Sequence, residues 1–252
     1  MADLFEKAKS FFFVNRCAAC GELLKYDSDE ALCPVCRAKW EDEKNEKCED
    51  CKQIQTLCRC GFEGCSADTV GHLASYSHKE ESVGKQLVFA LKNSHDSHIV
   101  GFLAREMAEN IRTYLFTEDA VAVNVPRNPR RVSETGYDQA KMLAKALAKE
   151  LGVPFVSVLK QKKDKVSQKM LDREAREEHA RRNVVFEDGA SGVIKDKTVL
   201  LVDDIGTTGS TVSVCSSILK ENGARAVHCV LVAKTKLETP DKNKKTLDKS
   251  AK

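Results

Sequence analysis

The most informative stretch of the sequence runs from Val199 to Thr211 and reads VLLVDDIGTTGST. Its first four residues are apolar, which is typical of a buried strand, and the residues from Ser210 to Leu219 have the pattern of a helix. The turn between them carries two carboxylates, Asp203 and Asp204, followed by glycines and hydroxyl side chains. Because ligands of α/β sheets bind beyond the carboxyl ends of the strands, this turn is the first candidate for a binding site.

The composition of this turn suits a sugar phosphate. Glycines and a helix N-terminus present unpaired N–H groups to an anion. The two carboxylates would repel a phosphate, so they are better suited to accept hydrogen bonds from sugar hydroxyls or to hold a metal ion. The turn therefore predicts a ribose with a 5′-phosphate as ligand. The candidate contacts are Asp203, Asp204, Gly206, Thr207, Thr208, Gly209, Ser210 and Thr211.

Strand and helix patterns alternate along the chain after Cys65. Apolar runs predict strands at 73–77, 121–125, 155–159, 198–202 and 226–233. Helical spacing of apolar residues predicts helices at 80–93, from Ser97 to Ile111, and from Asp138 to Leu151. Such alternation predicts an α/β domain whose largely parallel sheet is flanked by helices.

Nine of the eleven cysteines lie between Cys17 and Cys65, which marks a separate N-terminal module. The first set forms two Cys-x2-Cys pairs separated by twelve residues: Cys17, Cys20, Cys33 and Cys36. The second set is a degenerate copy with five candidates for four positions: Cys48, Cys51, Cys58, Cys60 and Cys65. Paired thiolates at such spacing are typical of structural zinc sites.

A disulfide scaffold is the alternative interpretation of these cysteines. A disulfide contributes ~2–5 kcal/mol, well below the ~10–16 kcal/mol of a structural zinc site, and it does not persist in a reducing cytosol. We therefore expect about two zinc ions per chain, each in a closed site without a position for water. Cys215 and Cys229 lie in apolar runs and are interpreted as small buried hydrophobes.

Length and charge narrow the possible classes of protein. The chain has 252 residues, of which 42% are hydrophobic and 31% are charged, so a wholly disordered chain is excluded. No apolar run reaches the ~18 residues of a membrane span, and we expect a cytoplasmic protein. The net charge of +3 comes from the tail after Ala233, which has seven lysines against three acidic residues. Bulk charge therefore does not favour a nucleic-acid or membrane surface.

Two basic segments are candidates for an anion site. Arg127, Arg130 and Arg131 follow the strand at 121–125 and could donate to an anion, or could form a solvated loop face. The segment from Lys160 to Arg182 has nine basic and five acidic residues. This composition fits a mobile lid over pyrophosphate and equally an ordinary solvated helix.

These motifs together resemble a known family. The stretch from Val199 to Thr211 resembles the phosphoribosyl-pyrophosphate (PRPP) motif of type I phosphoribosyltransferases. A cysteine-rich double ribbon joined to such a domain resembles the ComF family, which is associated with competence and DNA uptake. The resemblance covers residues 17 to about 235. Further matches are Lys92, the segment Val123–Arg131, and the run Gly136-Tyr137-Asp138-Gln139-Ala140.

The resemblance implies a type I phosphoribosyltransferase-like fold with a small N-terminal double zinc ribbon. In family terms, Asp203 and Asp204 hold the ribose hydroxyls, residues 207–211 grip the 5′-phosphate, and residues 126–131 face pyrophosphate, with magnesium bound alongside PRPP. The family pattern also favours Cys48, Cys51, Cys58 and Cys60 as the second zinc set, which leaves Cys65 unused. The implied organisation is a lead at 1–16, a double zinc ribbon at 17–65, a phosphoribosyltransferase-like domain at 66–235 and a disordered basic tail at 236–252.

The chain also departs from the family pattern. Asn124 stands where the family often has proline, and Asp138 stands where it has asparagine, which adds a negative charge near the expected pyrophosphate position. The flexible segment of the family is matched here by Gln168, Leu171, Arg176 and Asn183.

Three functional hypotheses follow. The first is a PRPP-dependent transferase with an unknown acceptor, and the second is a non-catalytic ribose-phosphate-binding protein of DNA uptake whose zinc ribbons dock partner proteins. The third treats the ribbons as a nucleic-acid module. We rank it last because residues 17–65 are rich in acidic groups and have few aromatic residues for stacking.

Overall fold

A computed structural model describes residues 15–25, 28–76, 81–93, 96–114, 118–162 and 173–236. The predicted N-terminal lead up to residue 14, and the tail from residue 237, lie outside these residues. So do Gln168, Leu171 and the side chain of Arg176, on which the flexible-segment prediction rests. No helix of the described chain is long and apolar enough to cross a bilayer.

The described elements alternate along the chain as the sequence predicts. The strands are β1 (Thr69–Tyr76), β2 (Ala120–Asn124), β3 (Leu159–Gln161), β4 (Val184–Phe186), β5 (Thr198–Gly206) and β6 (Ala226–Thr235). The helices are α1 (Pro34–Asn45), α2 (Val83–Asn93), α3 (Ser97–Tyr114), α4 (Pro129–Thr135), α5 (Gln139–Leu151), α6 (Arg173–Asn183), α7 (Ser191–Ile194) and α8 (Ser210–Glu221). A short 3-10 helix covers Gln55–Leu57.

Four parallel strands form the central sheet in the order β1-β6-β5-β2. Strand β5 therefore lies between β6 and β2, and all four strands end at the same edge of the sheet. Along β5, Leu200 and Val202 face one apolar core, while Val199 and Leu201 face the other. Burial on both faces explains why this strand is apolar without alternation. The predicted α/β architecture with a mostly parallel sheet is confirmed.

Local signals explain where the helices begin and end. The side chain of Asp138 accepts a hydrogen bond from the backbone N–H of Lys141 and caps α5 (3.0 Å), and Gly152 ends this helix with a φ of 70°. At the start of α3, the Asp96 carboxylate accepts from the N–H of His98 (2.8 Å). Such caps satisfy N–H groups that have no partner within the helix.

The prediction of a strand at 155–159 is wrong. Phe155 makes a single bridge to Ala122. The N–H of Ala122 donates to the carbonyl of Pro154, and the N–H of Val156 donates to the carbonyl of Ala122. The chain then leaves the sheet, and β3 pairs antiparallel with β4 in a separate two-stranded sheet. The apolar run is thus divided between two sheets, a division that its composition cannot show.

Candidate functional site

A cavity of about 350 Å³ opens at the carboxyl ends of the central strands. Its wall combines residues from the ends of β1, β3, β5 and β6 with residues from α2, α4, α5, α8 and the loop after β2. The charged groups on the wall are Lys92, Arg127, Arg131, Asp203 and Asp204. The cavity therefore joins both motifs that the sequence singled out, although about 75 residues separate them.

The acidic pair lies in the last part of β5 and faces this cavity. Each carboxylate accepts a hydrogen bond from the next backbone N–H, from Asp204 to Asp203 (2.8 Å) and from Ile205 to Asp204 (2.7 Å). Burial, and then the neighbouring Asp204, raise the pKa of Asp203 well above its usual value. Lys92 Nζ lies 3.9 Å from Asp204 Oδ2. The pair retains free acceptor capacity for ligand hydroxyls or for a metal ion.

In the turn after the acidic pair, some side chains line the cavity and others contact each other. Thr207 and Thr211 line the cavity, while Thr208 Oγ1 and Ser210 Oγ lie 2.9 Å apart and hydrogen-bond to each other. Gly209 precedes α8 with a φ of 71°, a conformation that glycine adopts without strain. This places the N-terminus of a twelve-residue helix beside the cavity, where its N–H groups favour an anion.

The three arginines of the loop after β2 occupy different environments. Arg127 and Arg131 line the cavity. Within the described chain, Nη1 of Arg127 is buried and has no hydrogen-bond partner. Arg130 instead points to solvent, with its side chain 67% exposed, and its Nε donates to Glu134 at 2.9 Å. The sequence predicts a loop here, but Pro129 starts helix α4, whose N-terminal N–H at Arg130 is capped by the Asn128 side chain.

Two clusters of four cysteines lie in the N-terminal module. Their Sγ atoms lie within 4.8 Å of one another in each cluster: Cys17, Cys20, Cys33 and Cys36 in the first, and Cys48, Cys51, Cys58 and Cys60 in the second. Cys20 Sγ and Cys33 Sγ are 3.7 Å apart, close to the ~3.8 Å edge of a tetrahedron with ~2.3 Å Zn–S bonds. Both sets therefore fit a zinc ion, and Cys65 lies outside the second cluster.

Each cluster contains a thiol that ionises near neutral pH. Burial opposes the ionisation of Cys17, but backbone N–H groups outweigh it and lower its pKa to about 7. In the second cluster, the N–H of Cys51 is the main cause that lowers the pKa of Cys48 to about 6. A metal site needs its thiols as thiolates, and burial and the neighbouring thiols raise the pKa of Cys36 and of Cys60, so a bound ion would have to stabilise these thiolates itself.

Comparisons with known proteins bear on both halves of the chain. A family model described as "Phosphoribosyl transferase domain" matches residues 138–252. Competence protein ComFC of Streptococcus pneumoniae is 25% identical over 226 residues, which cover 84% of this chain and 96% of that protein. Competence protein F of Haemophilus influenzae is 25% identical over 77% of this chain and 93% of that protein. These similarities support the assignment of the chain to the ComF family.

A third relative matches a shorter part of the chain. Ribose-phosphate pyrophosphokinase of Porphyromonas gingivalis is 33% identical over 97 residues, which cover 38% of the chain and 25% of that protein. The positions that carry the ComF resemblance also meet in space. Lys92, Gln139 and Ala140 all line the cavity, and the Gln139 side chain contacts the carbonyl of Lys92 at 3.5 Å.

Asp138 and Asn124, the two departures from the ComF pattern, have structural roles. Asp138 caps α5, and burial raises the pKa of its carboxyl while Arg127 opposes the rise. Asn124 is buried, and its Nδ2 donates to the carbonyl of Val125 at 3.2 Å. Neither side chain is part of the cavity wall.

Sequence reasoning missed three residues of the cavity wall, Tyr76, Gln161 and Thr235. Tyr76 and Thr235 end β1 and β6, which pair with each other at this position. The signal that could have found them is the strand end itself, because parallel strands end at one edge of the sheet. Gln161 comes from the antiparallel pair β3–β4, and no local pattern of the sequence indicates its position.

Proposed function

We propose that this ComF-family protein binds PRPP with magnesium in the cavity and transfers its phosphoribosyl group to an acceptor, with release of pyrophosphate. The observation that carries the proposal is the convergence of three groups in one cavity. These groups are the carboxylates of Asp203 and Asp204, the turn that leads into α8, and the buried, unpartnered Nη1 of Arg127. Each suits a different part of one ligand.

The topology brings these groups to one end of the sheet. Because β5 pairs with β2, the acidic pair and the phosphate turn that follows it (206–211) lie beside the segment that follows β2 and carries Arg127 and Arg131. We assign the ribose hydroxyls to Asp203 and Asp204 and the 5′-phosphate to the turn from Gly206 to Thr211. The pyrophosphate is assigned to Arg127 and Arg131, because a guanidinium donates two parallel hydrogen bonds to such an anion. Arg130 contributes through long-range charge at most, since it points to solvent.

In the proposed reaction, the bond between ribose C1 and the pyrophosphate oxygen breaks, and pyrophosphate leaves with the electron pair. A lone pair of the acceptor then forms the new bond to C1, and the acceptor loses its proton to solvent or to a base. The arginines stabilise the charge that develops on the leaving group. Magnesium, when bound with PRPP, neutralises part of that charge, and the partly exposed carboxylates of Asp203 and Asp204 are suitable ligands for it.

We further propose that each cysteine cluster holds one structural zinc ion and that the protein takes part in DNA uptake. The zinc proposal rests on the proximity of the four Sγ atoms in each cluster, which lie within 4.8 Å of one another. The link to DNA uptake rests on the relatives named as competence proteins. Partners are then proteins of the uptake machinery, and direct nucleic-acid binding is not part of the proposal.

A second candidate function is ligand binding without turnover, in an accessory protein that docks partners through its zinc ribbons. Among the described wall residues, the only carboxylates are Asp203 and Asp204, which are already assigned to the ribose, and there is no histidine to act as a catalytic base; this favours the second candidate. Pyrophosphate release separates the two functions. Wild-type protein is incubated with PRPP, magnesium and a pool of metabolites, and released pyrophosphate is measured against an Asp204→Asn control.

Binding itself is tested by thermal shift and calorimetry. PRPP with magnesium at a hundredfold excess over its dissociation constant should stabilise the protein by about 2.7 kcal/mol. Asp204→Asn keeps the shape of the side chain but loses its charge, so it should weaken PRPP by roughly 1.5–3 kcal/mol. Thr211→Val should weaken ribose 5-phosphate and PRPP equally, because both carry the 5′-phosphate. Absence of PRPP binding by metal-loaded wild-type protein would overturn the proposal.

A further inference from the structure

The floor of the phosphate turn is made by the N-terminal module. Phe62, two residues after the last ligand of the second cysteine cluster, is 1% exposed and lies directly behind the turn. A Cβ atom on Gly206 would lie 2.6 Å from Cζ of Phe62, and one on Gly209 would lie 2.7 Å from its Cδ1. Both distances are far below van der Waals contact. Leu231 of β6 shares this contact at Gly206, where its Cδ1 would lie 2.5 Å from the added Cβ, whereas at Gly209 all three nearest atoms belong to Phe62. The Phe62 ring, together with Leu231, therefore limits how deep the backbone of this turn lies.

The Phe62 ring is held by the tight chain path of the second cluster. The N–H of Phe62 donates to the carbonyl of Arg59 (2.9 Å), and the N–H of Cys65 donates to the carbonyl of Phe62 (3.0 Å). The Arg59 guanidinium donates to the carbonyls of Ala67 and Asp68. Since Cys58 and Cys60 flank Arg59 in sequence, a movement of these two thiols shifts the Arg59 carbonyl, which accepts the hydrogen bond from Phe62.

The same segment is joined to α8, which follows the phosphate turn, and to β6, which pairs with β5. Ser66 hydrogen-bonds to the hydroxyls of Ser213 (3.2 Å) and Ser217 (2.8 Å) on α8. On the other side, Nζ of the buried Lys234 in β6 lies 3.4 Å from Sγ of Cys58. The second cluster, the Phe62 floor and the helix behind the turn are thus one packed unit.

The first cluster has a different neighbourhood. Its helix α1 packs on α2 and α3, neither of which carries the phosphate turn. The Glu43 carboxylate accepts from the N–H groups of Val83 (2.7 Å) and Gly84 (2.8 Å) in α2, and Glu106 of α3 accepts from Arg37 (2.7 Å) and Trp40 (2.8 Å). Neither cluster contributes a residue to the described cavity wall, but the segment of the second cluster places Phe62 against Gly206 and Gly209, whereas no residue of the segment 15–45 is among the nearest neighbours of these glycines. Two metal sites of the same chemistry therefore stand in different relations to the candidate ligand site.

We infer that Phe62 is a positioning residue for the 5′-phosphate turn and that metal in the second cluster, but not in the first, is coupled to ligand binding. The inference rests on the proposed function, which supplies the ligand. Coupling between two sites is reciprocal, so the 5′-phosphate ligand must strengthen retention of the second metal by the same factor.

The first test compares two variants that remove the same atoms. Phe62→Leu alters the floor, whereas Phe102→Leu alters an equally buried ring in α3 that belongs to the other core. By calorimetry, Phe62→Leu should weaken ribose 5-phosphate and PRPP by the same factor, about tenfold, because a misplaced backbone costs affinity for the shared phosphate. Phe102→Leu should change either affinity by less than about twofold, since distant sites are independent. Equal losses in the two variants would overturn the inference.

The second test does not depend on the folding of Phe62→Leu. Cys60→Ser and Cys20→Ser each remove a ligand from one cluster, and metal analysis should show about one zinc ion fewer in each. Only Cys60→Ser should weaken ribose 5-phosphate. In wild-type protein, saturating ribose 5-phosphate should slow the transfer of one zinc ion to a coloured chelator and leave the other unchanged.

The outcomes also separate this inference from the proposed function. If zinc-loaded wild-type protein binds neither ribose 5-phosphate nor PRPP, the proposed function fails and the coupling fails with it. A different outcome is that the wild-type protein binds both ligands while Cys20→Ser and Cys60→Ser lose affinity equally, or while the zinc transfer rates do not change when ligand is added. In either case only the coupling fails.

Discussion

Replacement of Arg127 by alanine tests the assignment of the pyrophosphate position most directly. In the free protein, the Nη1 atom is already buried and unpartnered, so the variant breaks no hydrogen bond at this atom. A hydrogen bond to a charged ligand group contributes about 1.5–3 kcal/mol, and each 1.4 kcal/mol corresponds to a factor of about ten. Arg127→Ala should therefore raise the dissociation constant of PRPP roughly 10- to 100-fold, while ribose 5-phosphate, which has no pyrophosphate, keeps its affinity.

The matched control for this experiment is Arg130→Ala. Arg130 lies three residues after Arg127, in the first turn of α4, and has the same charge, but it is paired with Glu134 at the surface. Calorimetry with PRPP and magnesium, and separately with ribose 5-phosphate, is carried out on both variants at one salt concentration. We expect Arg130→Ala to change the PRPP affinity by less than about threefold, since exposed charges act weakly through water. If both variants lose PRPP equally, or if Arg127→Ala weakens both ligands alike, the assignment of Arg127 to pyrophosphate is refuted.

Three further predictions concern stability. Glu106→Gln should destabilise the protein by about 3 kcal/mol in urea unfolding, because the buried carboxylate accepts from Arg37, Trp40 and Lys44; a loss below about 1 kcal/mol would contradict this role. Burial lowers the pKa of His72 to about 3, so the unfolded chain binds a proton that the native chain does not, and stability is lost as the pH falls below about 6.5. Between pH 7 and 5.5, the free energy of unfolding of the wild-type protein should fall by about 1 kcal/mol more than that of His72→Gln. An equal fall in both proteins would contradict the lowered pKa of His72. Gly209→Ala should cost at least about 1–2 kcal/mol for its left-handed conformation alone, and denaturation showing no loss would mean that the turn rearranges.

The features that the sequence predicted well are those whose parts are adjacent along the chain. The strand, turn and helix around Asp203 and Asp204 form from contiguous residues, so apolar periodicity and glycine positions are enough to indicate them. The cysteine clusters are similarly local, because ligands two or three residues apart fall on one side of a metal. The division of the 155–159 run between two sheets is an exception, since hydrogen bonds to distant segments decide it.

Tertiary structure alone decided which side chains share the cavity and what lies behind it. Arg130 and Arg131 are equivalent in composition, but adjacent helix residues point in different directions, and packing of α4 selects Arg131 for the cavity. Phe62 is more than 140 residues from Gly206 in sequence, yet its ring is the floor on which that glycine rests. The sequence by itself indicated the strand–turn–helix segment around Asp203 and the two clusters of four cysteines, because each is set by short-range geometry. Their contact with each other depends on how the whole chain folds back, and no local pattern contains that information.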